Sequence, residues 1–83
     1  METRVAVLAV IIRDADSVSA LNELLHEYES AVIGRMGIPY RERGIRLISV
    51  ALDAPADAIS ALSGKIGRLP GVTAKTLYAP TFS

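Results

Sequence analysis

The sequence predicts an α+β fold of order β-α-β-β-α-β: one four-stranded antiparallel sheet with two helices on one of its faces. Three observations carry this prediction. The run VAVLAVII, Val5–Ile12, is apolar on both of its alternating sides, as in a strand covered on both faces. Two later segments repeat apolar residues every three or four positions, the period of a helix with one buried stripe. Each of these segments lies between strand-like runs, so the chain contains two βαβ crossovers. Two right-handed crossovers that interleave give this sheet, with the first and third strands at its centre.

The elements follow in order. In the first strand Val5, Val7, Ala9 and Ile11 alternate with Ala6, Leu8, Val10 and Ile12. Asp14, Asp16 and Ser17 supply turn and N-cap chemistry for the helix after it. Val18, Leu21, Leu24, Leu25 and Tyr28 form that helix's apolar stripe, with Asn22, Glu23, Glu27 and Glu29 largely outside it. Ala31 to about Ile38 reads as a second strand interrupted by Gly34 and Gly37, and Ile45–Leu52 as a third. Asp53 and Pro55 mark the start of the second helix, because proline fits a first helical turn. Ala58, Ile59, Leu62 and Ile66 give it a stripe, and Gly67 with Pro70-Gly71 stops it. Val72–Tyr78 is the last strand, and APTFS is a tail. This is the ferredoxin-like arrangement.

Composition sets the outer limits. A chain of 83 residues, 51% of them apolar, suits one domain over residues 1–83 with a single modest core. The longest apolar run has eight residues, against about 20 for a membrane-spanning helix, so no membrane role is expected. Arg4 leads directly into a strand, so no secretory signal is read. With no cysteine, disulfides, thiolate catalysis and Cys-ligated metals are excluded, and a cytoplasmic location is the default. Nine basic and nine acidic side chains cancel. A duplex binder normally carries a basic excess, so strong DNA binding by this chain alone is not expected.

If both helices pack on one face, the other face carries either the Val5 set or the Ala6 set, together with Leu47, Ser49 and Ala51. No segment is left to cover it. A patch of that size on a soluble monomer is unusual, which predicts a homo-oligomer, dimer or tetramer.

Several candidate sites fail on their chemistry. His26 has no cysteine or second histidine with which to hold a metal, and no cofactor motif is found, so neither metal nor cofactor is expected. SGKIGR, Ser63–Arg68, lacks the spacing of a phosphate loop and closes a helix instead of opening one. An acylphosphatase would share the fold order, but RDADS, Arg13–Ser17, has no glycine cradle, and Asp14 and Asp16 would repel its substrate. A hydrolase of that type is the least favoured reading, and no catalytic residues are assigned.

GRMGIPYRERGIR, Gly34–Arg46, is different: it holds four arginines, three glycines, a proline and a tyrosine. Arginine forks bind carboxylates and phosphates bidentately, and glycines let a ligand approach backbone N–H groups. The candidate ligand-binding residues are therefore Arg35, Tyr40, Arg41 and Arg43, with Gly34 and Gly37 shaping the backbone. The expected ligand is a small carboxylate or phosphate. A protein partner is the other candidate, and Glu42 could pair the flanking arginines across a subunit interface. The competing reading is a solvated basic hairpin on a ligand-free structural or accessory oligomer.

RVAVLAVIIRDADSVSALNELLHEY, VIGRMGIPYRERGIRLISVALDAP and ISALSGKIGRLPGVTAKT together resemble the small regulators proposed for the iron-only hydrogenase system. VIGRMG and YRERGI are the most specific parts. The resemblance implies an ACT-like fold, similar to the regulatory domain of the nickel-responsive repressor, and a regulatory, non-enzymatic role, with transcription as its inherited label. The repressor's nickel-binding histidines and cysteine have no counterparts here. The loop glycine of amino-acid-binding ACT domains is missing from RDADS, and no DNA-binding element precedes Val5.

Overall fold

The computed structural model describes residues 2–80. Strand β1 is Arg4–Ile12, helix α1 Val18–Glu27, β2 Val32–Tyr40, β3 Ile45–Ala54, α2 Ala56–Gly67 and β4 Val72–Tyr78. Single 3₁₀ turns occupy Ala15–Ser17, Glu29–Ala31 and Arg41–Arg43. The strands form one antiparallel sheet in the order β2-β3-β1-β4. The fold is the ferredoxin-like, ACT-like α+β arrangement that the element order predicts, with β1 and β3 central. Of the tail, Ala79 and Pro80 follow β4; residues 81–83 lie outside the described residues.

The helices cover the Ala6 side of β1. Ala6, Leu8, Val10 and Ile12 meet Val50, Leu52 and Ala54 of β3, and are sealed by Leu21 and Leu25 of α1 and Ile59, Leu62 and Ile66 of α2. The helical period explains the selection: these are the positions that fall on one side of each helix. Val18, Leu24 and Tyr28 complete the α1 stripe as half-buried margins. The Val5 set faces away from both helices.

Local chemistry fixes the ends of the elements. Asp14 caps the turn after β1, its carboxylate accepting from the Asp16 N–H at 3.0 Å. Ser17 is buried and does not cap α1; its hydroxyl donates to the Pro70 carbonyl at 2.6 Å. That bond, with Arg13 N–H donating to Gly71 O at 2.7 Å, ties the start of α1 to the turn before β4. Asp53 belongs to β3 and does not start α2, because β3 runs on to Ala54 to keep pairing with Arg4. Pro55 is the cap residue just ahead of α2.

The second strand, expected from Ala31 to about Ile38 and interrupted by Gly34 and Gly37, is present as β2 but uninterrupted. The glycines do not break it: the ladder to β3 runs from Val32 to Tyr40, with a bulge between Val32 and Gly34. The basic stretch is therefore mostly a nine-residue edge strand, closed by a tight turn at Arg41–Gly44. Pro39 fits because β2 lies at the sheet's edge, where a missing N–H costs no ladder bond on its outer side.

Candidate anion-binding cleft

The turn between β2 and β3 needs one left-handed residue, and Gly44 supplies it at φ 65°. Its N–H donates to Arg41 O at 3.1 Å, closing the turn over Glu42 and Arg43. The β1–β3 ladder ends at Ile12 and Arg46, whereas β2 and β3 continue pairing to Tyr40 and Ile45. The hairpin therefore overhangs the end of β1, where the chain turns away at Asp14 and Ala15. Between the overhang and that turn lies a cleft of about 380 Å³, lined by Ile12, Ala15, Pro39, Tyr40, Arg41, Gly44, Ile45 and Arg46.

Two arginines, Arg41 and Arg46, thus border one cavity from the turn and from β3. Its opposite wall at Ala15 is flanked by Asp14, whose carboxylate is engaged by the Asp16 N–H, and by Asp16. Among the described residues the ion pair is His26 with Glu29, so no carboxylate lies within pairing distance of Arg41, Arg43 or Arg46. An exposed guanidinium with free N–H groups beside a cleft can accept a carboxylate or phosphate in a fork.

The six residues expected to form a site do not gather at one place. Arg41 and Tyr40 line the cleft, and Arg43 lies in the same turn. Tyr40 OH donates to Glu42 Oε2 at 3.3 Å, so Glu42 is held by tyrosine within this chain. Arg35 pairs with Val50 in register and so points to the helix side, where its Nη2 donates to Asn22 Oδ1 at 3.0 Å. It is a strand-to-helix tie several residues from the turn. Gly34 and Gly37 adopt ordinary strand backbone: the positive φ angles are at Gly44 and Gly71. Arg46, which the sequence reading left out of the ligand set, lines the cleft. Its signal was its place just beyond the turn glycine, on the strand opposite Pro39.

The features set aside on sequence grounds have structural roles. His26 is exposed, with Nδ1 3.1 Å from Glu29 Oε2, and the described residues contain no metal-holding group of acids and histidine. Arg13 donates to Thr73 Oγ1 at 3.1 Å. SGKIGR does close α2: Ser63 accepts from the Thr76 hydroxyl at 3.1 Å, and Lys65 donates to Tyr28 OH at 3.1 Å. That hydrogen bond, above all, holds the Lys65 pKa above the usual lysine value.

Fold and turn geometry together define the class of protein, an ACT-like ferredoxin-fold domain without a metal-holding cluster in its described part. Residues 4–76 match the TM1266-like family, described as "Iron-only hydrogenase system regulator, putative". The chain belongs to that family. It is similar to the uncharacterized protein TM1266 from Thermotoga maritima, with 34% identity, a TM-score of 0.91, and coverage of 95% of this chain and 100% of that one. A formyltetrahydrofolate deformylase from Pseudomonas putida KT2440 superposes with a TM-score of 0.65 at 17% identity. It covers 92% of this chain but 29% of its own length, and this likeness concerns the fold alone. Among curated proteins no sequence matches. No helix among the described residues is long and apolar enough to cross a membrane.

Proposed function

We propose that this chain is a non-catalytic, cytoplasmic regulatory subunit of the iron-only hydrogenase system. In this reading it works as a homo-oligomer and responds to a small carboxylate or phosphate held between the hairpin turn and the end of β1. The observation that carries the reading is the cleft itself: Arg41 and Arg46 border about 380 Å³ of space with no carboxylate in pairing range among the described residues. Gly44 keeps the turn's backbone free of a side chain there, and Tyr40 contributes a flat wall. Family membership supports the regulatory role. Any effect on transcription runs through a partner, since zero net charge disfavours tight duplex binding by this chain.

Thermal melting in phosphate, citrate and a chloride control at matched ionic strength tests the reading. A bound anion at a hundredfold excess over its Kd stabilises by roughly 2.7 kcal/mol, a readily visible rise in Tm. Arg41→Ala and Arg46→Ala should each abolish the rise while leaving the particle mass unchanged. If no anion raises Tm and Arg41→Ala dissociates the subunits, the arginines are interface contacts and the ligand-free accessory oligomer is the better description. Separately, retardation of a promoter fragment at physiological salt should be weak and independent of sequence; tight, specific binding would make Arg41, Arg43 and Arg46 a DNA surface.

A further inference from the structure

The face of the sheet opposite the helices has a relief that sequence alone does not reveal. Across the register, Ile38, Leu47 and Ile11 form one row of bulky side chains. The next row is Met36, Ser49 and Ala9, small at its centre, and the row beyond it is Gly34, Ala51 and Val7. The result is a ridge beside a trough, with an apolar depression of about 250 Å³ where the first two rows meet. These side chains stand open to solvent: Leu47 is 38% exposed, Ile38 48% and Met36 61%. Polar residues sit at part of the margin, with Lys75 and Thr73 on β4 beside Ala9 and Ile11 and Asp53 opposite Val5 at the far end of β3. Leu77 of β4, beside Val7, adds a further exposed apolar side chain.

We infer that a second copy of this chain packs face to face on this surface, inverted end for end along the strands. The inference rests on the oligomeric part of the function proposed above and names the surface that forms it. A two-fold axis crossing the strands between the Leu47 and Ser49 rows sets the ridge of each copy into the trough of the other. Leu47 then lies over the partner's Ser49, and Ile11 over the partner's Ala9, at the usual sheet separation of about 10 Å. The same rotation places Tyr40 over the partner's Gly34, where no side chain competes for space. Four strands at about 4.8 Å spacing and nine residues at about 3.3 Å rise give a footprint of roughly 600 Å² per copy. Two such faces bury about 1,200 Å², at the lower end of stable specific interfaces.

Charge selects both the inversion and a second copy as the occupant. Along β3 the face ends in Asp53 on one side and, on the other, in the turn of Arg41, Glu42 and Arg43, where two arginines outweigh the Glu42 carboxylate held by Tyr40. End-for-end inversion brings the acidic end of each copy to the basic end of its mate, twice. A parallel arrangement would stack like on like.

Sedimentation velocity over the micromolar range tests this. The wild type should be a dimer or a multiple of one, and Ser49→Arg, which fills the trough without touching the buried core, should weaken association by about thirtyfold or more. Leu47→Glu should do the same, and circular dichroism of both variants at low concentration should match the wild type. Asp53→Arg and Arg43→Asp should each weaken the dimer about fivefold, and the double variant should recover most of that loss, since the charges are then exchanged. A monomeric wild type, or a dimer indifferent to Ser49→Arg and Leu47→Glu, overturns the inference; failed recovery in the folded double variant overturns the inverted geometry. The anion-dependent Tm of a monomeric Ser49→Arg chain is read separately, so the cleft and the interface can fail independently.

Discussion

The two sides of β1 differ little in composition and completely in environment. Ala6, Leu8, Val10 and Ile12 are at most 1% exposed, while Val5, Val7 and Ile11 are between 39% and 45% exposed. Nothing in the side chains explains the difference: a valine or isoleucine gains by leaving water on either side. The crossovers decide it, because both helices arrive on the Ala6 face. One apolar set is then consumed by folding, and the other remains for association. Hydropathy alone would therefore overstate the monomer's core by about half a strand, and substitutions on the two sides should separate folding from assembly.

The sharpest contrast is Leu8→Ala against Val7→Ala. Leu8 is fully enclosed, so its truncation leaves a cavity and should cost about 3 kcal/mol or more. For a domain of this size each kcal/mol moves Tm by about 4–8 °C, so Leu8→Ala should lower it by more than about 12 °C at any protein concentration. Val7→Ala removes a half-exposed side chain and should cost under about 1 kcal/mol. Its Tm deficit should fade on dilution, as the wild type loses its own association. Equal, concentration-independent losses would mean that the two faces are not distinguished in this way.

The next effect is at the loop that anchors the covered side. Gly71 has φ 67°, and a Cβ there would lie 2.6 Å from Asp14 Cβ and 3.0 Å from Asp14 N. Gly71→Ala adds left-handed strain to a clash with the backbone that caps the β1 end, and a loss of about 2 kcal/mol or more is expected in chemical denaturation. Ser17→Ala, which removes the bond to Pro70 O on the same contact, should cost about 1 kcal/mol. A Gly71→Ala chain as stable as the wild type would show that the anchor yields easily.

Element order, the central place of β1 and β3, and both helix stripes were legible because periodicity and burial agree in those segments. The choice of core face was not, since Val5 and Ala6 patterns are equivalent until the helices are placed. The continuity of β2 through its glycines was not legible for a related reason. Gly34, Gly37 and Pro39 are turn-forming types, yet an edge strand tolerates all three, and the register with Ser49, Leu47 and Arg46 holds them extended. That register also splits the arginine cluster: strand alternation sends Arg35 toward Asn22, and the turn carries Arg41 away beside Arg46. Proximity along the chain suggested one site, and period-two geometry divided it.

The smallest expected effect discriminates most finely between the two faces. Gly34 lies on the open face of β2 opposite Ala51, its φ is not positive, and a Cβ there would meet nothing within 4 Å. Within the monomer, Gly34→Ala only restricts the unfolded chain, and should stabilise the fold by about 0.5 kcal/mol. In the inverted dimer the same methyl group faces the partner's Tyr40 ring and takes up space the ring needs. The variant should therefore raise Tm slightly at low concentration and weaken association at high concentration, a crossing of the two melting curves that no purely structural role for the glycine would produce. A uniform gain at every concentration would leave Gly34 outside the interface and move the two-fold axis away from the Leu47 and Ser49 rows.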